Sequence, residues 1–201
     1  MRPTKDQYMM KMARAAGSRA TCNRGKSGAV IAVDGVVVSS GYVGAARGLP
    51  HCDEAGHLIR EVTYEDGSKH RHCVRTAHAE GNAIVQAARR VVGGGTLYCK
   101  MEPCLRCTVD LINAGIKRVV ADYRYHGAEL SRKWLSMAGV QLDVVHDEDA
   151  PYDNPDPGVS KPRKLCEAAM LSLEDGDPEC AGVLLRQAIE AFGEESEERT
   201  R

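Results

Sequence analysis

Apolar residues recur along the first 150 positions with two periods, and the switches between them predict the elements. Residues 4–17 read as a helix, with Tyr8, Met9, Met12, Ala13 and Ala16 on one face. Thr4 can cap it, Asp6 suits its first turn and Gly17 can end it. Residues 28–42 read as a hairpin, because the apolar runs 29–33 and 36–38 flank Asp34-Gly35, a two-residue turn signal. From position 78 the pattern alternates again. It predicts a helix over 78–91, a break at Gly93-Gly94-Gly95, a strand over 96–99 and a helix over 104–114 closed by Gly115. A strand over 117–122, a helix over 127–138 around Leu130, Trp134 and Leu135, and a strand over 140–145 follow. Strands alternating with helices imply a partly parallel sheet.

Residues 43–77 lose this periodicity. They carry His51, His57, His70 and His72, with His78 just beyond, and also Cys52 and Cys73. A structureless stretch of this length is unusual inside a compact domain, so something is expected to order it, and a metal is the obvious candidate. Residues 148–161 hold four acids and three prolines and read as a linker. Beyond it, 162–173 and 177–191 read as two helices, the second opening on Asp177-Pro178 and presenting Val183, Leu184, Ala188, Ile189 and Phe192. The expected organisation is a domain over 1–147 with a metal-ordered insert at 44–77, a linker over 148–161, a helical extension over 162–192 and a charged tail over 193–201.

A formal net charge of -1 leaves no basic field to attract nucleic acid. No run approaches the roughly 18 apolar residues of a membrane span. The first six residues lack the apolar stretch of a secretory signal. A soluble cytoplasmic protein without a membrane partner is expected. In that compartment the eight cysteines are expected to stay reduced. Their clustering with histidines suggests metal instead, leaving Cys99, Cys166 and Cys180 as packing residues.

The chemistry lies in two short motifs, His78-Ala79-Glu80 and Pro103-Cys104-Leu105-Arg106-Cys107. One histidine and two cysteines make three ligands for zinc and leave the fourth tetrahedral position open, as catalytic sites do. His78 begins one expected helix and Cys104 and Cys107 begin another. Helix N-termini favour thiolates. Glu80, two residues past the ligand histidine, can reach a water rather than the metal. Such a site suits hydrolytic deamination, with Glu80 moving protons, and the spaced motif marks the zinc-dependent nucleobase deaminases. A closed structural zinc site or a redox Cys-x-x-Cys pair are the alternatives.

Around these motifs stand Asp6-Gln-Tyr8, Ala20-Thr-Cys-Asn-Arg24, Gly28-Ala-Val-Ile31, Gly41-Tyr42, Arg47-Gly-Leu-Pro-His-Cys52, Cys73-Val-Arg-Thr76, His78-Ala-Glu-Gly-Asn-Ala83 and Asn113-Ala-Gly-Ile-Lys117. With them the chain, from about Arg2 to His146, resembles the deoxycytidylate (dCMP) deaminase family of the cytidine deaminase superfamily. The resemblance implies an α/β, three-layer fold with a five-stranded mixed sheet between helices, here followed by a C-terminal helical hairpin. It implies conversion of dCMP to dUMP and ammonia, which feeds thymidylate-type synthesis. It implies catalytic zinc on His78, Cys104 and Cys107, Glu80 as proton shuttle, and Asn82 and Tyr125 near the nucleotide. Some members are hexamers activated by dCTP and inhibited by dTTP, with the effector near the segment matching 41–48, here Gly41, Gly44 and Arg47. A homo-oligomer, hexamer or dimer, is therefore expected.

Two further expectations follow from the resemblance. The family usually reads Gly-Tyr-Asn-Gly where this chain has Gly41-Tyr42-Val43-Gly44. Val43 removes a polar contact from the substrate site, which points to a 5-substituted dCMP. Some members also carry a second, structural zinc. Here it is expected on Cys22, Cys52, Cys73 and one histidine, with His72 and His70 the leading choices and His57 a third. A deaminase of tRNA or single strands is the runner-up; it would need a basic groove with stacking aromatics, and aromatics make up only 4% of the chain. A non-catalytic zinc module is the remaining alternative, against which Glu80 stands.

Overall fold

The computed structural model describes residues 1–64, 67, 69–87 and 92–149, together with Gly182, Val183, Leu185, Arg186 and Ile189. The chain divides into two units, Met1–Asn154 and Pro155–Arg201. In the second, the five described positions are helical and fall within the helix expected over 177–191. The expected linker from 150 onward, the helix over 162–173 and the charged tail lie outside the described residues.

The first unit opens with α1 (Lys5–Gly17), started by a reciprocal cap: the Gln7 backbone N–H donates to Thr4 Oγ1 at 3.2 Å and the Thr4 N–H donates to Gln7 Oε1 at 3.0 Å. Its buried face is Met9, Met10, Ala13 and Gly17, while Tyr8, expected on that face, is half exposed. β1 (Gly28–Val33) and β2 (Val36–Tyr42) form the expected antiparallel hairpin. Asp34 and Gly35, with φ of +51° and +79°, make the left-handed turn that suits the twist of paired strands.

Residues 43–77 are not structureless. They hold β3 (Gly44–Ala45), α2 (Cys52–Ala55), β4 (Ile59–Thr63), β5 (Lys69–Cys73) and β6 (Thr76–Ala77). β3 pairs with β6, and β4 pairs with β5, both antiparallel. The hairpin escapes a period-2 reading because β4 buries none of its five residues; one is half-buried and the rest are exposed. With no apolar alternation, sequence periodicity has nothing to register.

The regular pattern then resumes with α3 (Ala79–Gln86), β7 (Thr96–Met101), α4 (Leu105–Ala114), β8 (Arg118–Arg124), α5 (Glu129–Met137) and β9 (Gln141–Asp149). The helix expected over 78–91 ends at Gln86, and 88–91 lie outside the described residues. β9 runs four residues past the expected 145, which carries the first unit beyond the expected boundary at 147. One five-stranded sheet results, in the order β2-β1-β7-β8-β9, with β7, β8 and β9 mutually parallel and β1 antiparallel to both neighbours.

Strand alternation divides the core between the two faces. Ala29, Ile31, Leu97, Cys99, Val119 and Ala121 join Ala79, Ala83, Leu111 and Leu135 on one side. Val30, Ala32, Tyr98 and Val120 join Met9, Met10 and Ala13 on the other. Helices therefore cover both faces, as the three-layer expectation requires. α3 lies unusually close to β2. A Cβ on Gly41 would fall 2.3 Å from the Ala79 carbonyl oxygen, so only glycine lets the helix approach this near. That approach fixes where the first turn of α3, and hence Glu80, stands.

Candidate metal centres and the cavity between them

The N-termini of α3 and α4 meet. His78 is the residue just before α3 and Cys104 the residue just before α4, both in extended conformation, while Glu80 and Cys107 lie in the first turns. Cys104 Sγ and Cys107 Sγ are each 3.5 Å from His78 Nδ1. Zinc bonds of about 2.3 Å to sulfur and about 2.0 Å to nitrogen, at a tetrahedral angle, place sulfur and nitrogen about 3.5 Å apart. Both sulfur–nitrogen edges therefore match a zinc tetrahedron, and all three donor atoms lie within 4.8 Å of one another. A hydrogen bond with Cys107, aided by the His78 ring and opposed by burial, lowers the Cys104 thiol to about 4. No fourth ligand from the described residues joins this group.

Glu80 is buried, 6% exposed, and its Oε2 accepts from Cys107 Sγ at 3.8 Å. Burial raises its carboxyl above the ordinary range. A buried carboxyl beside a three-donor metal group, and outside that group, is placed to move protons rather than to bind the metal.

A second group is closed. Cys22, Cys52, Cys73 and His57 bring their ligand atoms within 4.8 Å of one another. Cys52 Sγ lies 3.6 Å from Cys73 Sγ, and Cys22 Sγ 3.6 Å from His57 Nδ1. These spacings again match the edges of a zinc tetrahedron. His57 Nε2 lies 2.9 Å from the Asn23 side-chain oxygen. An amide oxygen only accepts, so Nε2 carries the proton and Nδ1 turns its lone pair to the thiols.

This corrects the expected fourth ligand. His72 and His70, the leading choices, are not in the group; His57 is. Successive strand residues point to opposite faces, so on β5 the partner of Cys73 at the metal cannot be its neighbour His72. His72 Nε2 instead meets Tyr64 Oη at 2.8 Å, and the His70 ring stacks on His126. Had residues 69–73 been read as a strand, the same alternation would have excluded His72.

Between the two groups lies a cavity of about 130 Å³. Its wall includes Glu80, His78 and Cys104 from the open group and Cys22 and Cys73 from the closed one. Val43 and Tyr125 line it as well, as do Arg24 and Arg71, which were not singled out in the sequence. Arg24 Nη2 donates to the Arg71 carbonyl at 2.8 Å, so the two are set side by side. Glu102, also on the wall, has its carboxylate almost sealed from solvent between Arg124 and Arg132 and accepts the Tyr125 backbone N–H at 3.1 Å. Its position just before Pro103-Cys104 was the only available signal.

Other expected site residues fall elsewhere. Asn82 does not line the cavity; its side-chain amide donates to the Tyr42 carbonyl at 2.8 Å and ties α3 to the end of β2, next to Val43. Gly41 and Gly44, expected near an effector, are buried, and Gly41 is pressed against α3. Only Arg47 of that set is exposed.

An open zinc-type triad at two helix N-termini, a buried glutamate beside it and a mixed sheet between helices define a zinc-dependent deaminase fold. Residues 3–122 match the model of the cytidine and deoxycytidylate deaminase zinc-binding region, and the chain belongs to that family. Over 144 residues it is 39% identical to the deoxycytidylate deaminase of Saccharomyces cerevisiae, a match covering 71% of this chain and 45% of that protein. ComE operon protein 2 of Bacillus subtilis is 34% identical over 144 residues, covering 70% of each. The crystal structure of dCMP deaminase from the cyanophage S-TIM5 in complex with dCMP and dUMP matches with a TM-score of 0.57 at 28% identity, covering 72% of this chain and 98% of that one. The chain spans less than half the length of the yeast relatives it matches, 45% and 44%. No helix among the described residues is long and apolar enough to cross a membrane.

Proposed function

We propose that the chain is a zinc-dependent deaminase that converts a deoxycytidine monophosphate to the corresponding deoxyuridine monophosphate and ammonia. The observation that carries this reading is Glu80, buried in the cavity wall beside His78, Cys104 and Cys107. These three residues would hold the catalytic zinc, which as a Lewis acid makes water a competent nucleophile near neutral pH. Water adds at C4 of the cytosine ring. Glu80 accepts one proton from that water and hands it to ring N3; it then takes the remaining proton from the C4 hydroxyl and delivers it to the amine, so that C4=O forms, the C4–N bond breaks and ammonia leaves. Burial raises the Glu80 carboxyl above the ordinary range, which favours the protonated form that must donate to the ring and to the amine. Arg24 and Arg71 supply the positive charge that a monophosphate needs and a free nucleoside does not.

Cys22, Cys52, His57 and Cys73 would hold a structural zinc. Val43 gives the cavity an apolar surface where the family pattern has Asn, which supports activity on a 5-substituted base. A cytoplasmic homo-oligomer, hexamer or dimer, belongs to the same proposal, and light scattering of the full chain tests its assembly. Control by dCTP and dTTP belongs to the proposal too, with the exposed Arg47, beside Gly41 and Gly44, as the charged residue of the effector segment.

The test is ammonia release from the zinc-loaded protein with dCMP, 5-methyl-dCMP, 5-hydroxymethyl-dCMP, CMP, deoxycytidine and a tRNA hairpin in parallel. Turnover of a deoxycytidine monophosphate is expected. Glu80→Gln is expected to lower kcat by about 10²–10⁴ with zinc content unchanged. Turnover of the hairpin alone, or full activity of the variant, would overturn the proposal.

A further inference from the structure

We infer that Tyr64 is a positioning residue for nucleotide binding, because its hydroxyl joins two separate segments of the cavity wall. The inference rests on the deaminase reading above. Tyr64 Oη lies 2.8 Å from His72 Nε2 on β5 and 2.6 Å from Tyr125 Oη in the loop after β8. His72 and Tyr125 both line the cavity, whereas Tyr64 does not. A phenol has one proton to donate and can accept in return, so a single hydroxyl can hold both partners at once.

The register of the hairpin explains why Tyr64 can do this. Val62 pairs with His70 and Arg60 with His72, so Tyr64, next but one after Val62, continues the hairpin face that carries both histidines. Cys73 stands on the other face, where the closed metal group forms. One face of the hairpin is thus committed to the metal and the other to Tyr64 and its ring neighbours. The Tyr64 ring centroid is 4.7 Å from that of His70 and 6.1 Å from that of His126, and the His70 and His126 rings stack at 4.3 Å. The β5 side chains of the hairpin are therefore fastened to the loop after β8 at the point where Tyr125 enters the cavity.

Gly127 makes room for the contact. A Cβ there would lie 2.9 Å from both Tyr64 Cζ and Tyr64 Oη, closer than side-chain carbons approach their neighbours. The Tyr64 ring would have to shift, and Tyr125 Cε1, 3.1 Å from the same Cβ, would be pressed as well, so the bond between the two hydroxyls is disturbed from both ends. Two positions far apart in sequence thus control the same pair of bonds.

These two hydrogen bonds join the Tyr64 hydroxyl to His72 and Tyr125, and not to Glu80 or a donor of the open metal group, so the geometry predicts a separation of kinetic effects. Tyr64→Phe keeps the ring and its stacking and removes only the hydroxyl. It is expected to raise KM for the deoxycytidine monophosphate about tenfold, with kcat within about threefold of the parent and zinc content unchanged; tenfold corresponds to the loss of about 1.4 kcal/mol of binding. Gly127→Ala is expected to show the same signature with Tyr64 left intact. Calorimetric binding of dCMP to the full chain supplies a second readout that does not require turnover. If the parent binds dCMP but releases no ammonia, the deaminase reading fails, and a tenfold weaker Kd in Tyr64→Phe still supports the positioning role. An unchanged KM and Kd in Tyr64→Phe would overturn the inference. So would a fall in kcat accompanied by loss of zinc, because that pattern marks a merely structural tyrosine.

Discussion

In β1 every residue from Gly28 to Ala32 is buried, whereas β4 buries none. Both strands belong to the first unit, yet different forces order them. β1 is an interior strand, paired on both sides by β2 and β7 and with helices on both faces, and its alternate side chains feed two apolar clusters. The β4–β5 hairpin has a single partner strand on each side of its turn and little apolar surface to bury. A two-stranded hairpin of that kind is marginal in water. Among the described residues the apolar cluster beside it is Cys22, Val43 and Cys52, and two of those three are candidate metal ligands. The sheet and its helices are held by packing, and the insert is held by its thiols and whatever they bind.

Metal removal tests that contrast most severely. Structural zinc contributes on the order of 10 kcal/mol to small metal-ordered folds. Chelation of the full chain is therefore expected to speed amide exchange strongly across 57–74, while the amides of β1, β7 and β8 stay protected. Uniform loss of protection would mean that sheet and insert are one cooperative unit and would erase the distinction. The ligand assignment sharpens it. By elemental analysis His57→Ala is expected to lower zinc from two ions per chain to one, and His72→Ala to leave both. The reverse pattern would restore the ligand that sequence alone favoured.

The same contrast explains what could be read before the structure. Helices α1, α3, α4 and α5 and the strands of the main sheet follow from apolar periodicity, because all but β9 bury residues on at least one face and β9 still half-buries Leu142 and Val144 against the core. His78, Glu80, Cys104 and Cys107 follow from motif spacing, because helix starts hold them at fixed offsets. The insert was legible only as a cluster of metal-binding residue types. Its hairpin shows no hydrophobic alternation, so neither its strand register nor the exclusion of His72 from the metal could be extracted. Arg24, Arg71 and Tyr64 were missed for a related reason: what they do depends on the partners that the insert brings to them.

A smaller effect is expected at Glu102, which links the sheet to the cavity. Its side chain is 1% exposed and meets Arg124 Nη1 at 2.9 Å and Arg132 Nη2 at 2.8 Å. Burial alone would raise its carboxyl, but the Arg132 hydrogen bonds, the Tyr125 N–H and Arg124 outweigh burial and hold it below the ordinary value. A carboxyl lowered in the folded state stabilises the fold fully above its unfolded value of about 4.5, and that contribution fades as pH falls through the folded value. Glu102→Gln leaves two arginines beside a neutral amide and is expected to cost about 3–5 kcal/mol in urea unfolding at pH 7. The variant should also flatten the loss of stability on acidification below about pH 4.5. Equal acid sensitivity in parent and variant would remove Glu102 from the forces that hold the sheet.

Asp6 is the weakest of these sites and so the finest test of whether packing dominates in the sheet. It accepts two hydrogen bonds from Arg118, at 3.0 and 2.9 Å, and a third from Tyr98 Oη at 2.7 Å, tying α1 to the edge of β8. The Arg118 hydrogen bonds, opposed by burial and aided by Tyr98, lower its carboxyl, so its contribution too is present above about pH 4 and is lost on acidification. Its side chain is 41% exposed, however, and solvent screens the pair. Asp6→Asn is expected to cost about 0.2–1 kcal/mol, less in high salt, with sheet protection and zinc content unchanged. A cost as large as that of Glu102→Gln would mean that α1 is held to the sheet by charge. Met9, Met10 and Ala13, all buried against Val30, Ala32 and Tyr98, would then contribute less than their burial implies.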